Sequence, residues 1–315
     1  MSQAYLLASI AIALWSTSAY LSRLIAIESQ FVLVNLIFLF AAITLGVYVW
    51  ILRNRRKLEV KANFHKQYLF WGVFGYFLYS LPLIQSLRAF DSASEATILN
   101  YTWPVFTVLF SSVLFRKISS HRSQATKWLE TLAIGLGFLA VVLVATEGQL
   151  GKVEIANPAG VLWGLLSGLS YGIFSAYSAR LSENEQPVFL LTAILISLIL
   201  TTPMGLWEYQ QLGGLSRGGV LIAFILGVFM SGFAYIAWTG ALRLAKAQNK
   251  IPQIAALIFM LPPLSLSIVA IFLKESNLTR PYFALSVVLV ILSSVLAQRA
   301  EGISKRVQKA FPRQV

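Results

Sequence analysis

The chain has 315 residues, of which 57% are hydrophobic and 12% charged, with a mean hydropathy of +0.74 and a formal net charge of +13. A soluble domain carries about 25% charged residues, so these proportions exclude an ordinary soluble globular protein. The absence of cysteine excludes disulfides, thiolate chemistry and Cys-based metal sites.

A hydrocarbon core roughly 30 Å thick needs about 20 apolar residues per helix. Ten stretches meet that need: 3–22, 31–52, 68–87, 96–115, 128–146, 158–179, 187–206, 219–242, 251–273 and 281–298. No Asp, Glu, Lys or Arg lies near the middle of any of them. The prediction is an all-α membrane protein of ten transmembrane helices, with short connections and no separate soluble domain. The first stretch lacks a basic leader and an A-x-A site, and Trp15-Ser16-Thr17 is polar for a signal sequence, so it reads as a retained span.

The positive charge would suggest nucleic acid in a soluble chain, but its placement points elsewhere. Numbering the connections alternately from an internal N-terminus, the internal segments hold 19 of the 25 Lys and Arg residues. The external segments keep only Arg23, Arg88, Lys152, Arg217, Lys274 and Arg280. The positive-inside rule then puts both termini in the cytoplasm. The basic tail 301–315 fits the same topology signal and attraction to anionic lipid, with no nucleic-acid partner.

Along the chain, the first span carries Trp15 with Ser16, Thr17 and Ser18, and the third carries Tyr76, Tyr79 and Gln85. Positions 76 and 79 share one helix face. The fourth span reads Asn100-Tyr101-Thr102-Trp103-Pro104 several residues inside its start near Glu95. Polar side chains are costly in hydrocarbon unless they face protein or water, so this turn should point into the bundle. Pro104 lacks an N–H and leaves the Asn100 carbonyl without its helical donor. Tyr5, Trp50, Trp71, Trp128 and Trp207 read instead as interfacial belt residues.

On the sixth span Gly164, Gly168 and Gly172 form a small-xxx-small stripe, read as a helix-packing face, beside Trp163, Ser167, Ser170, Tyr171 and Ser175. The eighth span adds Tyr235 and Trp238, and the ninth contains Pro262-Pro263, with Pro252 at its start. The two Pro-containing spans match: Trp103-Pro104-Val105 leads to Phe115-Arg116-Lys117, and Leu261-Pro262-Pro263 leads to Leu273-Lys274-Glu275, with 12 residues from Pro to charge in both. Spans four and nine are an odd number apart, so the halves are expected to be inserted in opposite orientations. This predicts an inverted five-plus-five repeat, with residues 1–150 and 151–300 as the halves, and a substrate site near the midplane where helices are interrupted.

An aromatic, hydroxyl-rich lumen without buried charge suits an organic, neutral or zwitterionic solute. Coupled carriers generally need an ionisable group in the membrane, and Glu95 is the nearest candidate, against its plain reading as a first-turn residue favoured by the helix dipole. Facilitated diffusion or exchange is therefore the default. His65 and His121 lie in basic connections, and no Walker-A run, HExxH or G-x-S-x-G is present, so neither an enzyme, a metal site nor a cofactor is expected.

The ten spans, the repeat and the Pro-containing fourth and ninth helices resemble the EamA-type exporters of the drug/metabolite transporter superfamily. More narrowly, Leu14-Trp15-Ser16-Thr17, Asn100-Tyr101-Thr102-Trp103-Pro104 and Gly232-Phe233-Ala234-Tyr235-Ile236-Ala237-Trp238 resemble the YddG-type aromatic amino-acid exporters. The resemblance implies a bacterial inner-membrane exporter of aromatic amino acids or related metabolites, with a basket of helices around a central cavity; a ten-helix bundle can close its own cavity, so a monomer is expected. Trp15, Tyr101, Trp103 and Pro104 would line that cavity, with Tyr171 on the sixth span and Tyr76 or Tyr79 on the third; Asn100, Trp163 and Trp238 complete the candidate set. Two departures from the family pattern are Arg116-Lys117 where the fourth helix commonly ends in an acid, and a third span without the His of some relatives. Two other readings are a cation-coupled multidrug or nucleoside carrier on the same scaffold and a non-transporting membrane scaffold.

Overall fold

The computed structural model describes residues 3–29, 31–55, 66–113, 124–149, 155–182, 184–212, 214–247, 254, 257–275 and 280–310. Pro252, His65 and His121 lie outside them. Among the described residues there are helices and no strands. In chain order these are α1 Gln3–Ser16, α2 Ser18–Glu28, α3 Val32–Asn54, α4 Lys66–Gly75, α5 Phe77–Ala89, α6 Ala93–Asn100, α7 Trp103–Val113, α8 Gln124–Ala145, α9 Pro158–Ser178, α10 Glu185–Leu212 and α11 Arg217–Ile225. A π-helical stretch Leu226–Phe233, α12 Ala234–Ala247, a 3-10 turn Leu257–Met260, α13 Leu261–Leu273 and α14 Pro281–Ala310 follow. Five helical stretches among the described residues are long and apolar enough to cross a membrane: Gln3–Ala26, Val32–Asn54, Pro158–Ser178, Glu185–Leu212 and Arg217–Ala245.

Several helices start where side-chain chemistry satisfies the first free backbone N–H groups. Ser92, Asn157 and Ser216 accept from Ser94, Gly160 and Gly219, and Pro158 occupies the first helical position, where an N–H is not needed. Asn157 also donates Nδ2 to the Ala89 carbonyl at 2.6 Å, so one residue finishes α5 and begins α9. α14 runs on to Ala310 rather than ending at 298, so the first part of the expected tail continues the helix.

The core is aromatic and tightly filled, with Phe38, Phe189 and Phe283 fully buried. Phe174 stacks on Phe189 at 5.0 Å. Gly164, Gly168 and Gly172 bring α9 directly against α6 and α7: a Cβ there would stand 2.7 Å from Leu99 Cβ, 2.7 Å from Thr102 Oγ1 and 2.4 Å from Phe106 Cβ. The small-residue stripe is thus a packing face. Trp50, Trp128 and Trp207 lie exposed on the outer surface, as belt residues would. Trp71 does not: it stacks on Tyr177 with ring centroids 5.4 Å apart.

The departure from continuous spans is the informative part. α1 and α2 meet at Thr17, α4 and α5 at Tyr76, and α6 and α7 at Tyr101-Thr102. In the last of these, Thr102 N bonds Leu99 O and Val105 N bonds Thr102 O, so the ladder tightens around the position that Pro104 cannot serve. At the first, Ser16, Thr17 and Ser18 all turn their hydroxyls back onto carbonyls of the preceding turn, a pattern that bends helices. Between α11 and α12 the π-helical stretch carries Gly227 and Gly232, five residues apart. Pairing i with i+5 stacks such residues on one face, and both abut α3, at Ile37 O (2.6 Å from a Cβ at Gly227) and Thr44 Cβ (2.9 Å from a Cβ at Gly232).

Candidate functional site

The interrupted helices meet around one cavity of about 390 Å³. The break residues Tyr76 and Tyr101 line it, as does Met230 from the π-helical stretch; Trp15 and Ser18 line it on either side of the Thr17 break. Among the described residues no Asp, Glu, Lys, Arg or His lines it.

An aromatic ring of side chains forms the wall. Trp15 packs edge-on to Tyr235 at 5.1 Å and against Trp238 at 5.9 Å, and its Nε1–H donates to the Met230 carbonyl at 3.0 Å. That bond spans α1 and the π-helical stretch and fixes the indole plane. Trp103 meets Tyr171 edge-on at 5.2 Å, and Tyr171 packs against Tyr79 at 5.0 Å. The hydroxyls of Tyr171 and Tyr235 lie 2.6 Å apart, joining α9 to α12. Offset and edge-on arrangements like these are the favoured ones for aromatic pairs.

Tyr76 is enclosed by Phe38, Phe174 and Tyr235, with ring centroids 5.8–6.1 Å away. Its hydroxyl is buried, faces the Tyr235 ring region, and makes no hydrogen bond of ordinary geometry among the described residues. A buried donor left unsatisfied costs about 1–3 kcal/mol, which makes this oxygen a natural place for a solute or water to bond. Asn100 donates Nδ2 to Ser167 Oγ at 2.6 Å, fixing the last turn of α6 against α9.

Of the residues singled out from sequence, Trp15, Tyr76, Tyr79, Asn100, Tyr101, Trp103, Tyr171 and Trp238 are brought together on the cavity wall. Two are not. Trp163 is 37% exposed and off the wall: it shares a face with Ser167, one turn further along α9, but stands near the start of the helix, before the turns that reach the cavity. Pro104 is buried but not on the wall; it starts α7 from behind, and its effect is on the backbone. Glu95 is 8% exposed in the first turn of α6, away from the lining, with Glu147, Glu275, Arg280 and Asp91 within Coulombic reach. Sequence reasoning missed Phe38, Phe174, Gln186 and Met230 on the wall. The two phenylalanines carry no signal that separates them from other core residues. Met230 reaches the wall through a π turn whose only trace in the sequence is the Gly227–Gly232 spacing.

A multi-pass helical bundle with interrupted helices around an uncharged central cavity has the form of a membrane carrier. The family model of the EamA-like transporter family matches residues 2–146 and again 158–298, and the chain belongs to that family. A protein of Clostridium kluyveri described as an uncharacterized transporter is 21% identical over 227 residues, covering 69% of this chain and 67% of its own. A solved structure described only as a crystal structure of protein superposes with a TM-score of 0.59 over 98% of this chain and 99% of its own; at 21% identity the likeness is one of fold.

Proposed function

We propose that this chain exports amino acids, aromatic ones foremost, or closely related metabolites, by alternating access and without ion coupling. The supporting observation is the cavity: aromatic rings and hydroxyls line about 390 Å³ with no charged side chain on the wall among the described residues. That volume falls in the range of about 300–1,000 Å³ typical of small-molecule pockets. Rings stack on an aromatic side chain and sit over an ammonium group, while the hydroxyls bond a carboxylate or amide. The narrow resemblance of three motifs to aromatic amino-acid exporters favours the same solutes.

In this reading ten spans form an inverted five-plus-five repeat in the bacterial inner membrane, with both termini in the cytoplasm, and the carrier works as a monomer. The test is uptake of labelled Phe, Trp, Met and Thr into proteoliposomes preloaded with unlabelled solute, with no imposed gradient. Saturable counterflow supports the reading. Accumulation only after a pH step would favour the coupled alternative, for which the buried Glu95 is the supporting observation. Silence in both would refute amino acids as solutes.

A further inference from the structure

We propose that Glu275 is a positioning residue that latches the cavity wall on one side of the membrane only. The inference rests on the carrier reading above. α13 ends at Lys274 in the left-handed conformation (φ 54°, ψ 36°), which non-glycine residues rarely adopt. That turn delivers the next side chain, Glu275, onto the N-terminus of α6 in the other half of the chain. Glu275 Oε1 accepts from Ala93 N at 2.6 Å, and Oε2 accepts from Ser92 Oγ at 2.7 Å, Ser94 N at 3.2 Å and Ser94 Oγ. A carboxylate on free N–H groups at a helix N-terminus is favoured both by the bonds and by the dipole.

α6 carries the latch to the site. All eight of its residues are buried, and it runs directly from Ser92 to Asn100 and Tyr101 on the cavity wall. The arrangement of those two residues therefore depends on whether Glu275 holds the far end of the same two-turn helix.

The matched spans show why the latch is one-sided. Aligning Pro262 with Pro104 sets Glu275 against Lys117, Ser92 against Lys250 and Ser94 against Pro252. The counterpart of the acceptor is a cation, and the counterpart of one backbone donor has no N–H. The sequence at the symmetry-related place thus lacks both the acceptor and one of the donors. Glu275 thus favours the state closed on its own side, which the charge asymmetry assigns to the exterior, and has to let go of α6 for that side to open.

The chain has no cysteine, so single cysteines report directly. Ser22 and Ser178 both line the cavity. Ser22 adjoins Arg23, whose guanidinium donates to the carbonyls of Phe90 and Asp91 beside the latch, while Ser178 ends α9 at the other end of the bundle. Labelling of Ser22→Cys and Ser178→Cys by a water-soluble maleimide, which reaches both faces of the protein in nanodiscs, is measured with and without Glu275→Gln. The latch predicts that Glu275→Gln speeds labelling at position 22 and slows it at 178, each about tenfold, and that Glu275→Asp restores both. Unchanged rates at both positions in folded Glu275→Gln protein overturn it.

Should Glu275→Gln not fold, Ser92→Ala/Ser94→Ala, which removes hydroxyl donors and keeps the carboxylate, takes its place. Shifted labelling in that variant supports the latch; unchanged labelling or failure to fold makes Glu275 a fixed cap and overturns it. Labelling needs no solute. Normal counterflow with unchanged labelling sinks the latch alone, and absent counterflow with shifted labelling sinks only the choice of solutes.

Discussion

The hydroxyls of Tyr171 and Tyr235, 64 residues apart in the chain, meet at 2.6 Å on the cavity wall. One hydroxyl donates and the other accepts, so the accepting tyrosine keeps its own O–H free to donate to whatever enters. Tyr235→Phe removes the bond without changing the ring. It is expected to lower stability by about 1 kcal/mol and to raise the KM of counterflow by about tenfold, equivalent to ~1.4 kcal/mol. Thermal melting and the KM are read on the same preparation. A KM within error of the parent would show that the pair serves packing alone.

Trp103 and Trp163 separate cavity from surface. Trp103 packs on Tyr171 at the wall, whereas Trp163 lies off it and is 37% exposed. Trp103→Ala should therefore cut transport by at least about tenfold (~1.4 kcal/mol) while Trp163→Ala leaves it near the parent value. Equal losses in the two variants, at equal expression, would remove the cavity as the place of solute binding.

Gly172 has no room for a methyl group: a Cβ would stand 2.4 Å from Phe106 Cβ and 3.0 Å from the Phe106 and Thr107 backbone. Gly172→Ala is expected to destabilise by about 1–3 kcal/mol through overpacking. Gly135 has nothing within 4 Å of its Cβ position, so Gly135→Ala is the matched control and should melt at or above the parent temperature.

Glu95→Gln distinguishes the facilitative from the coupled reading. A facilitator keeps both counterflow and downhill efflux, because Glu95 stands off the cavity wall. A coupled carrier loses accumulation driven by a pH step. The assay compares the two modes in one batch of vesicles.

The helical class and much of the aromatic part of the wall were legible because hydrocarbon imposes them: apolar length marks spans, and isolated polar or aromatic residues within a span mark an inner face. Where the helices break was less legible. Pro82 lies inside α5 without ending it, while the break falls at Tyr76, beside Gly75, whose Cβ position is filled by the Phe174 ring at 2.2 Å. That break depends on a contact with a residue nearly one hundred positions away, which local propensity cannot express. Trp163 misled for a related reason. It lies on the same helix as Tyr171, but α9 reaches the cavity only from Tyr171 onward, and a helical pattern gives the face of a residue without giving its depth.

The first turn of α3 has a clamp of its own. Glu208 Oε2 accepts from Ser29 Oγ, Phe31 N and Val32 N at 2.7–2.8 Å. One turn on, Asn35 Nδ2 donates to Leu198 O, Thr201 Oγ1 and Thr202 Oγ1 of α10. Two sets of bonds a turn apart on one pair of helices oppose both sliding and twisting, so α3 and α10 form a stiff strut. The glycines of the π-helical stretch bear on that strut. Any rearrangement of the interrupted helices then has a stationary member to push against, as a rotor has its stator.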